Sequence, residues 1–204
     1  MSSVTDRSEL RRQLRAQRAQ LDARTRLSAA EALAATLERL PEFLVDARVA
    51  GYWAVAGEMP LHATYASLRS REQQYFLPLV TAANDLLFAA WRAGTDVQAN
   101  RYGIPEPVAP AEALLGPADL DLVLVPLLGF DRRGNRLGSG AGFYDRSFAF
   151  LRATQRPARP VLVGIGYHFQ EVGDIAPAAW DVPLDFVATD RELIACTVYD
   201  AMTP

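Results

Sequence analysis

The segment Arg136 to Arg146 reads Arg-Leu-Gly-Ser-Gly-Ala-Gly-Phe-Tyr-Asp-Arg and concentrates residue types that bind and transfer charged groups. Glycines alternate at 138, 140 and 142, so the backbone can approach a ligand closely and N–H groups can converge on an anion. Arg136 and Arg146 flank the loop with guanidiniums suited to phosphate oxygens. The loop follows an apolar strand and opens into a helix, whose N-terminus adds partial positive charge. Nucleotide phosphates are the expected ligands. Two other phosphate motifs are excluded. The loop lacks the lysine of a Walker A motif. Its Gly-x-Gly-x-Gly spacing, about ten residues after the strand, departs from the dinucleotide fingerprint, which starts where the strand ends. Ser139 has no histidine in a triad pattern and is not read as a nucleophile.

The elements that must position this loop follow from hydrophobic periodicity. Ser8–Leu21 carries Leu10, Leu14, Ala16 and Leu21 among many arginines and is expected to be helical. Thr25 or Ser28 caps a second helix with Leu33, Ala34 and Leu37 as its apolar stripe, and Pro41 ends it. Val49–Val55 and Tyr75–Val80 read as strands around a helix, Leu61–Arg69. Leu86–Trp91 is a further strand, and a proline-rich connection through Gly103-Ile104-Pro105-Glu106-Pro107 follows. Leu120–Leu127 is an almost wholly apolar run of the kind covered on both faces. Tyr144–Arg152 is expected as a helix, Val161–Tyr167 and Leu184–Ala188 as strands. The alternation predicts an α/β fold, a three-layer α/β/α sandwich with a largely parallel central sheet and N-terminal helices.

Composition narrows the function. A chain of 204 residues, 50% of them hydrophobic, suits one domain with a sizeable core. A net charge of −3 argues against a dedicated nucleic-acid binder. All 21 basic residues are arginine, so lysine Schiff-base catalysis is excluded. Cys196, the single cysteine, cannot pair within the chain and sits in the apolar stretch Leu193–Val198 as a core residue. The polar N-terminus lacks a signal-peptide h-region, and no apolar run approaches the roughly 18 residues of a membrane span. A cytoplasmic enzyme is expected. A nicotinamide oxidoreductase would need a Gly-x-Gly-x-x-Gly turn after the first strand, and Val49–Val55 is not followed by one.

Val125-Pro126 through Phe130-Asp131, then Gly134-Asn135-Arg136-Leu137-Gly138-x-Gly-x-Gly-Phe-Tyr-Asp-Arg, closely resembles the signature of the 5-formyltetrahydrofolate cyclo-ligase (5,10-methenyltetrahydrofolate synthetase) family. Further matches fall in the family's order along nearly the whole chain. They are Arg11-Arg12-Gln13-Leu14-Arg15, Tyr52-Trp53 to Gly57-Glu58, Leu77-Pro78, Gly103 to Pro107, and Trp180-Asp181-Val182-Pro183-Leu184-Asp185.

The resemblance implies a monomeric enzyme that uses ATP and magnesium to close the ring of a reduced folate. 5-Formyltetrahydrofolate becomes 5,10-methenyltetrahydrofolate through a phosphorylated formyl group, with release of ADP and phosphate. It implies ATP held between Arg11 and Arg15 on one side and Arg136, Leu137, Gly138, Ser139, Gly140, Ala141, Gly142, Phe143 and Tyr144 on the other. Arg11 and Arg15 share a helix face at i and i+4; Arg7, Arg12 and Arg18 read as a solvated face. Arg136 is expected to stabilise the transition state and Tyr144 to position substrate. Asp145 and Asp181 match magnesium positions, though each would also serve as an ordinary cap or turn residue. Glu58 matches a glutamate that holds the pterin, a carboxylate able to accept two N–H donors from an aminopyrimidine edge. Trp53 matches an apolar substrate-lining position; Tyr102, just before the Glu-Pro turn, is expected to stack on the pterin or benzoyl ring. Ser139 through Phe143 border the folate as well. His62 and His168 match no catalytic position. The chain departs from the family's usual residues at Arg11, commonly lysine, at Ala141, commonly glycine or lysine, and at Phe143, commonly tyrosine. A hydroxyl at 143 is therefore not essential here. A relative that binds folate and nucleotide with weakened catalysis is the alternative.

Overall fold

The computed structural model describes residues 7–156 and 158–196. The first six residues of the polar N-terminus, and Val198 at the end of the Leu193–Val198 stretch, lie outside them. The chain runs α1 (Arg7–Ala19), α2 (Ala23–Leu37), α3 (Pro41–Val45), β1 (Arg48–Ala50), α4 (His62–Ser70), β2 (Gln74–Val80), β3 (Leu86–Ala90), β4 (Val97–Ala99), β5 (Pro105–Pro107), β6 (Leu122–Pro126), β7 (Gly129–Phe130), β8 (Arg136–Leu137), α5 (Phe143–Ser147), β9 (Val161–Ile165), β10 (Phe186–Ala188) and β11 (Leu193–Ala195), with short 3₁₀ turns between some of them.

Seven strands form one sheet in the order β11-β10-β9-β6-β1-β2-β3. The five inner strands are parallel, and β3 and β11 close the two edges antiparallel. Side chains alternate between faces, as the period of a strand requires. Val49, Leu122, Leu124 and Val163 pack with Leu33 and Leu37 of α2, Phe43 of α3 and Leu68 of α4. Ala50, Val123, Val125 and Leu162 face the opposite way, onto Phe130, Phe148 and Leu151. The sandwich is unequal: full helices cover one face, and a hairpin, α5 and a 3₁₀ turn cover the other. Cys196 is buried in this second layer, as expected of a core cysteine.

Several local expectations need correction. The second helix is capped by Asp22, whose carboxylate accepts the Thr25 N–H at 2.7 Å, rather than by Thr25 or Ser28. Pro41 opens α3 as well as ending α2, because proline suits the first helical position. The strand expected over Val49–Val55 stops at Ala50, and from Gly51 the chain leaves the sheet toward a turn at Ala56-Gly57. The helix expected over Tyr144–Arg152 is α5 followed by a 3₁₀ turn, Ala149–Ala153. Three residues per turn keep Phe148 and Leu151 on one side, and both are buried. Hairpins β4–β5 and β7–β8 were read as connections; two- and three-residue strands carry too little periodicity to be seen.

The strand order locates the site. From β1 the chain builds outward through β2 and β3 in one direction, then returns to build β6, β9 and β10 in the other. The carboxyl ends of β1 and β6 therefore border a switch point, where open α/β sheets leave a crevice.

Candidate active site

A cleft of about 500 Å³ occupies that crevice, within the usual range for small-molecule sites. Residues after β1, at the carboxyl end of β2 and at and after the end of β6 line it, together with the glycine loop, the β4–β5 hairpin and one face of α1.

Leu14 seats α1 in a small core with Leu128, Leu137 and Ile175, and Leu10 packs beside it. That docking turns Arg7, Arg11, Arg15 and Arg18 toward the cleft, which all four line. Their spacing of four, four and three residues is one helical face. Arg7 pairs with Asp181 at 2.8 Å. Arg11 donates to the Gly138 carbonyl at 3.0 Å and Arg15 to the Ser139 carbonyl at 3.0 Å. The expected solvated face holds for Arg12, which is exposed and bonds Glu9. It fails for Arg7 and for Arg18, which is only 6% exposed. The continuation of the Arg11–Arg15 spacing was the available signal.

The β7–β8 hairpin carries the glycine loop. Asp131, 1% exposed, ties its turn by accepting from the N–H groups of Arg133, Asn135 and Ile175 and from the Asn135 amide. The family signature ahead of the loop is thus a structural knot. Beyond β8, Gly140 (φ 111°) and Gly142 (φ 69°) adopt left-handed backbone, whereas Ala141 does not, so alanine is tolerated there without strain. Among the described residues no N–H from Ser139 to Tyr144 has a protein acceptor. With the carbonyls of 138 and 139 held by arginines, this stretch offers a run of free donors on the cleft wall, the arrangement that binds anions.

Arg136 is buried beneath the loop and donates to Asp145 and to the Val182 carbonyl. Burial pulls its pKa down, and Asp145 and Asp181 oppose that shift. Asp145 Oδ1 also accepts the Val182 N–H at 3.2 Å, and Asp181 Oδ2 accepts the Ala178 N–H at 2.9 Å. Each carboxylate spends one oxygen on protein partners and lines the cleft. Two partly exposed carboxylates beside an anion-binding loop suit magnesium, which takes one or two carboxylates plus phosphates and waters. Burial drives the Tyr144 hydroxyl far above its ordinary pKa. The hydroxyl is therefore neutral, and the ring stacks on Phe148 at 6.2 Å.

At the other end, the turn Val55–Glu58 presents Glu58. Ala56 and Gly57 both have positive φ, 48° and 79°, as primed turns require. The turn is closed by Glu58 N–H to the Val55 carbonyl at 3.0 Å and by Val55 N–H to Glu58 Oε2 at 3.1 Å. Burial raises the Glu58 carboxyl above its usual range, and the Val55 N–H and the charge of Arg18 act against it. Trp53 lines the cleft with its ring edge-on to Trp91 at 5.9 Å. Tyr102, at the tip of the β4–β5 hairpin, meets Phe143 of α5 at 5.7 Å. Glu106 braces that hairpin by accepting from the Val80 N–H and the Asn100 amide.

The structure brings nearly all the expected site residues around this cleft. Arg11, Arg15, Arg136, Gly138, Ser139, Gly140, Ala141, Gly142, Phe143, Tyr144, Trp53, Glu58, Tyr102, Asp145 and Asp181 all line it. Leu137 does not: it is 1% exposed in the core beneath α1 and anchors the loop from behind. Arg146 does not clamp the cleft either. It bonds the Asn84 and Ala141 carbonyls and lies over the Phe143 ring. His62 and His168 are outside it. Trp180, 65% exposed at the rim, was not anticipated.

The sequence model of the 5-formyltetrahydrofolate cyclo-ligase family matches residues 3–190. The chain is 32% identical to a 5-formyltetrahydrofolate cyclo-ligase of Haemophilus influenzae over 87% of this chain and 94% of the relative. It is 35% identical to one of Mycolicibacterium smegmatis, over 74% of this chain and 79% of that one. The solved structure of Aquifex aeolicus 5,10-methenyltetrahydrofolate synthetase superimposes with a TM-score of 0.79 at 29% identity, covering 95% of this chain and 94% of that one. No helix among the described residues is long and apolar enough to cross a membrane. With the signature loop, the arginine face of α1 and the carboxylates gathered at one cleft, and a family match across nearly the whole chain, this protein belongs to the 5-formyltetrahydrofolate cyclo-ligase family of enzymes.

Proposed function

We propose that the protein converts 5-formyltetrahydrofolate to 5,10-methenyltetrahydrofolate with ATP, releasing ADP and phosphate. The observation that carries this reading is the single cleft with two chemically distinct ends. One end offers free loop N–H groups, arginines and two carboxylates; the other offers a desolvated glutamate among aromatic rings. The first suits a magnesium-bound triphosphate and the second an aminopyrimidine edge on an aromatic scaffold.

The chemistry asks little of the protein beyond position and charge. The N5 formyl group is an amide, and closure by N10 would have to expel an oxide. The formyl oxygen attacks the γ-phosphorus, its bond to the bridging oxygen breaks, and ADP leaves. N10 then attacks the formyl carbon, the carbon–oxygen bond breaks, phosphate departs and the N10 proton is lost. The loop N–H groups and Arg136 stabilise negative charge on the transferring phosphoryl group. Arg11 and Arg15 hold the loop carbonyls, so its donors keep their orientation. Tyr144 positions the substrate as a neutral group. Asp145 and Asp181 would hold magnesium, which supplies charge neutralisation for the phosphates. Glu58 holds the pterin, and Trp53, Tyr102 and Phe143 pack against its rings.

The test is the ultraviolet band of the methenyl product in a mixture of protein, 5-formyltetrahydrofolate, ATP and magnesium, with an ATP-free control. ATP-dependent growth of the band is expected. No band from folded protein would reduce the chain to a ligand-binding relative.

A further inference from the structure

One arginine on the α1 face differs from the other three. Arg7, Arg11 and Arg15 each donate to a protein oxygen. Arg18, the most deeply buried of the four, lines the cleft, yet its side chain makes no hydrogen bond and no ion pair among the described residues. Its Nε is a buried donor without an acceptor. A guanidinium N–H removed from water without an acceptor is costly. Docking of α1 does not require it, because Leu14 and Leu10 seat the helix. The donors therefore await an acceptor that enters with a ligand.

The position says which one. The Arg18 stem lies against the turn that presents Glu58; a Cβ added at Gly57 would fall 3.5 Å from Arg18 Cγ. The acidic group that most influences Arg18 is Glu58. A pterin edge presents its 2-amino N–H, its N3–H and its C4 carbonyl oxygen in a row: donor, donor, acceptor. A carboxylate satisfies the first two, and the third calls for a donor beside it. We propose that Arg18 reads the C4 carbonyl of the pterin and so makes the site selective for 4-oxo over 4-amino pteridines. This assignment rests on the cyclo-ligase reading above. In a 2,4-diaminopteridine, an amino group would face the guanidinium donor to donor and leave the charge unpaired. Polar sites reject that kind of mismatch strongly.

The test uses Arg18→Met, which keeps an unbranched apolar stem without the charge, and Arg18→Lys, which keeps a charge with fewer donors. Steady-state kinetics on the full chain give KM for 5-formyltetrahydrofolate and for ATP. A 2,4-diamino tetrahydrofolate analogue is measured as a competitive inhibitor. For Arg18→Met the folate KM should rise at least about tenfold while the ATP KM moves less than about twofold, on the scale of one charge-assisted hydrogen bond. The preference for the 4-oxo ligand over the diamino analogue should fall at least about tenfold. The unfolding midpoint should rise, because a buried donor without an acceptor is gone. Arg18→Lys should fall between wild type and Arg18→Met. A rise in ATP KM instead would assign Arg18 to the phosphates and overturn the proposal. So would a lowered midpoint with folate KM unchanged. If midpoint and folate KM both worsen, the oxo/diamino ratio decides: a retained preference overturns the assignment, a lost one supports it. Wild-type protein that neither binds nor converts 5-formyltetrahydrofolate would sink the underlying reading, and this assignment with it.

Discussion

The two ends of the cleft are built on opposite principles. At the phosphate end the charged side chains are already engaged within the protein: Arg7 with Asp181, Arg136 with Asp145, and Arg11 and Arg15 with loop carbonyls. What they leave free is backbone N–H, a donor that cannot rotate away. At the pterin end the charged groups themselves are exposed to desolvation. Burial raises the Glu58 carboxyl, and Arg18 Nε has no acceptor among the described residues. One end has its side chains tied within the protein; on the reading proposed here, the other is completed by the ligand. The contrast suits the chemistry, since phosphoryl transfer gains from fixed dipoles and recognition of one heterocycle gains from polar groups that suffer when the wrong edge enters.

Breaking the rigid end should have the largest effect. Arg136→Ala removes a guanidinium that the proposed mechanism sets against the transferring group and that ties α5 to the segment after Asp181. Turnover is expected to fall by ~10²-fold or more, with a lower unfolding midpoint as Asp145 loses its partner. Wild-type turnover in this variant would remove Arg136 from the mechanism. At the ligand-completed end, Glu58→Gln replaces a double acceptor by a group with one acceptor and one donor. We expect the folate KM to rise about tenfold with ATP KM nearly constant, the scale of one hydrogen bond to a charged group. Equal rises in both constants would show that the two ends are not separable.

A pH series sharpens the same comparison. Burial raises the Glu58 carboxyl, so the protonated form, which cannot accept both N–H groups, becomes populated at a higher pH than for an ordinary carboxylate near ~4.3. Folate KM should therefore climb as pH falls, starting above that range, and Glu58→Gln should flatten the climb. A wild-type profile flat down to about pH 4 would contradict the raised carboxyl. The smallest effect concerns the turn that aims Glu58. Ala56 stands at φ 48°, where a Cβ costs about 1–2 kcal/mol. Glycine relieves that strain but loses more freedom on folding. Ala56→Gly should leave stability unchanged or raise it by up to about 1 kcal/mol in denaturant titration, with folate KM increased by the looser turn. Destabilisation would mean that the alanine methyl is packed rather than strained.

Much of this was legible in the sequence because it is written in local spacing. The buried strands announce themselves as apolar runs. The glycine loop could be singled out from its own residues, whereas Arg11 and Arg15 were named by the family resemblance, helical periodicity only placing them on one face. The errors have a common origin in contacts between segments far apart in the chain. Arg18 looked like one more solvated arginine: its spacing puts it on the Arg11–Arg15 face, but only the fold lays the turn at 55–58 against it. Leu137 sits within the signature yet faces a core made by α1. Arg146 lies beside the phosphate loop but is turned outward by Asn84, 62 residues away.

The amino-acid sequence by itself determined the longer helices and the buried strands and which residue types gather in the glycine loop, because helix face, strand alternation and glycine conformations are properties of neighbours in the chain. Only the tertiary structure decided which arginines are partnered and which are bare, which carboxylate is desolvated, and that both ends share one cleft. Those are questions of burial and of long-range hydrogen bonding, and a chain has neither until β1 and β6 lie side by side and α1 closes over the crevice between them.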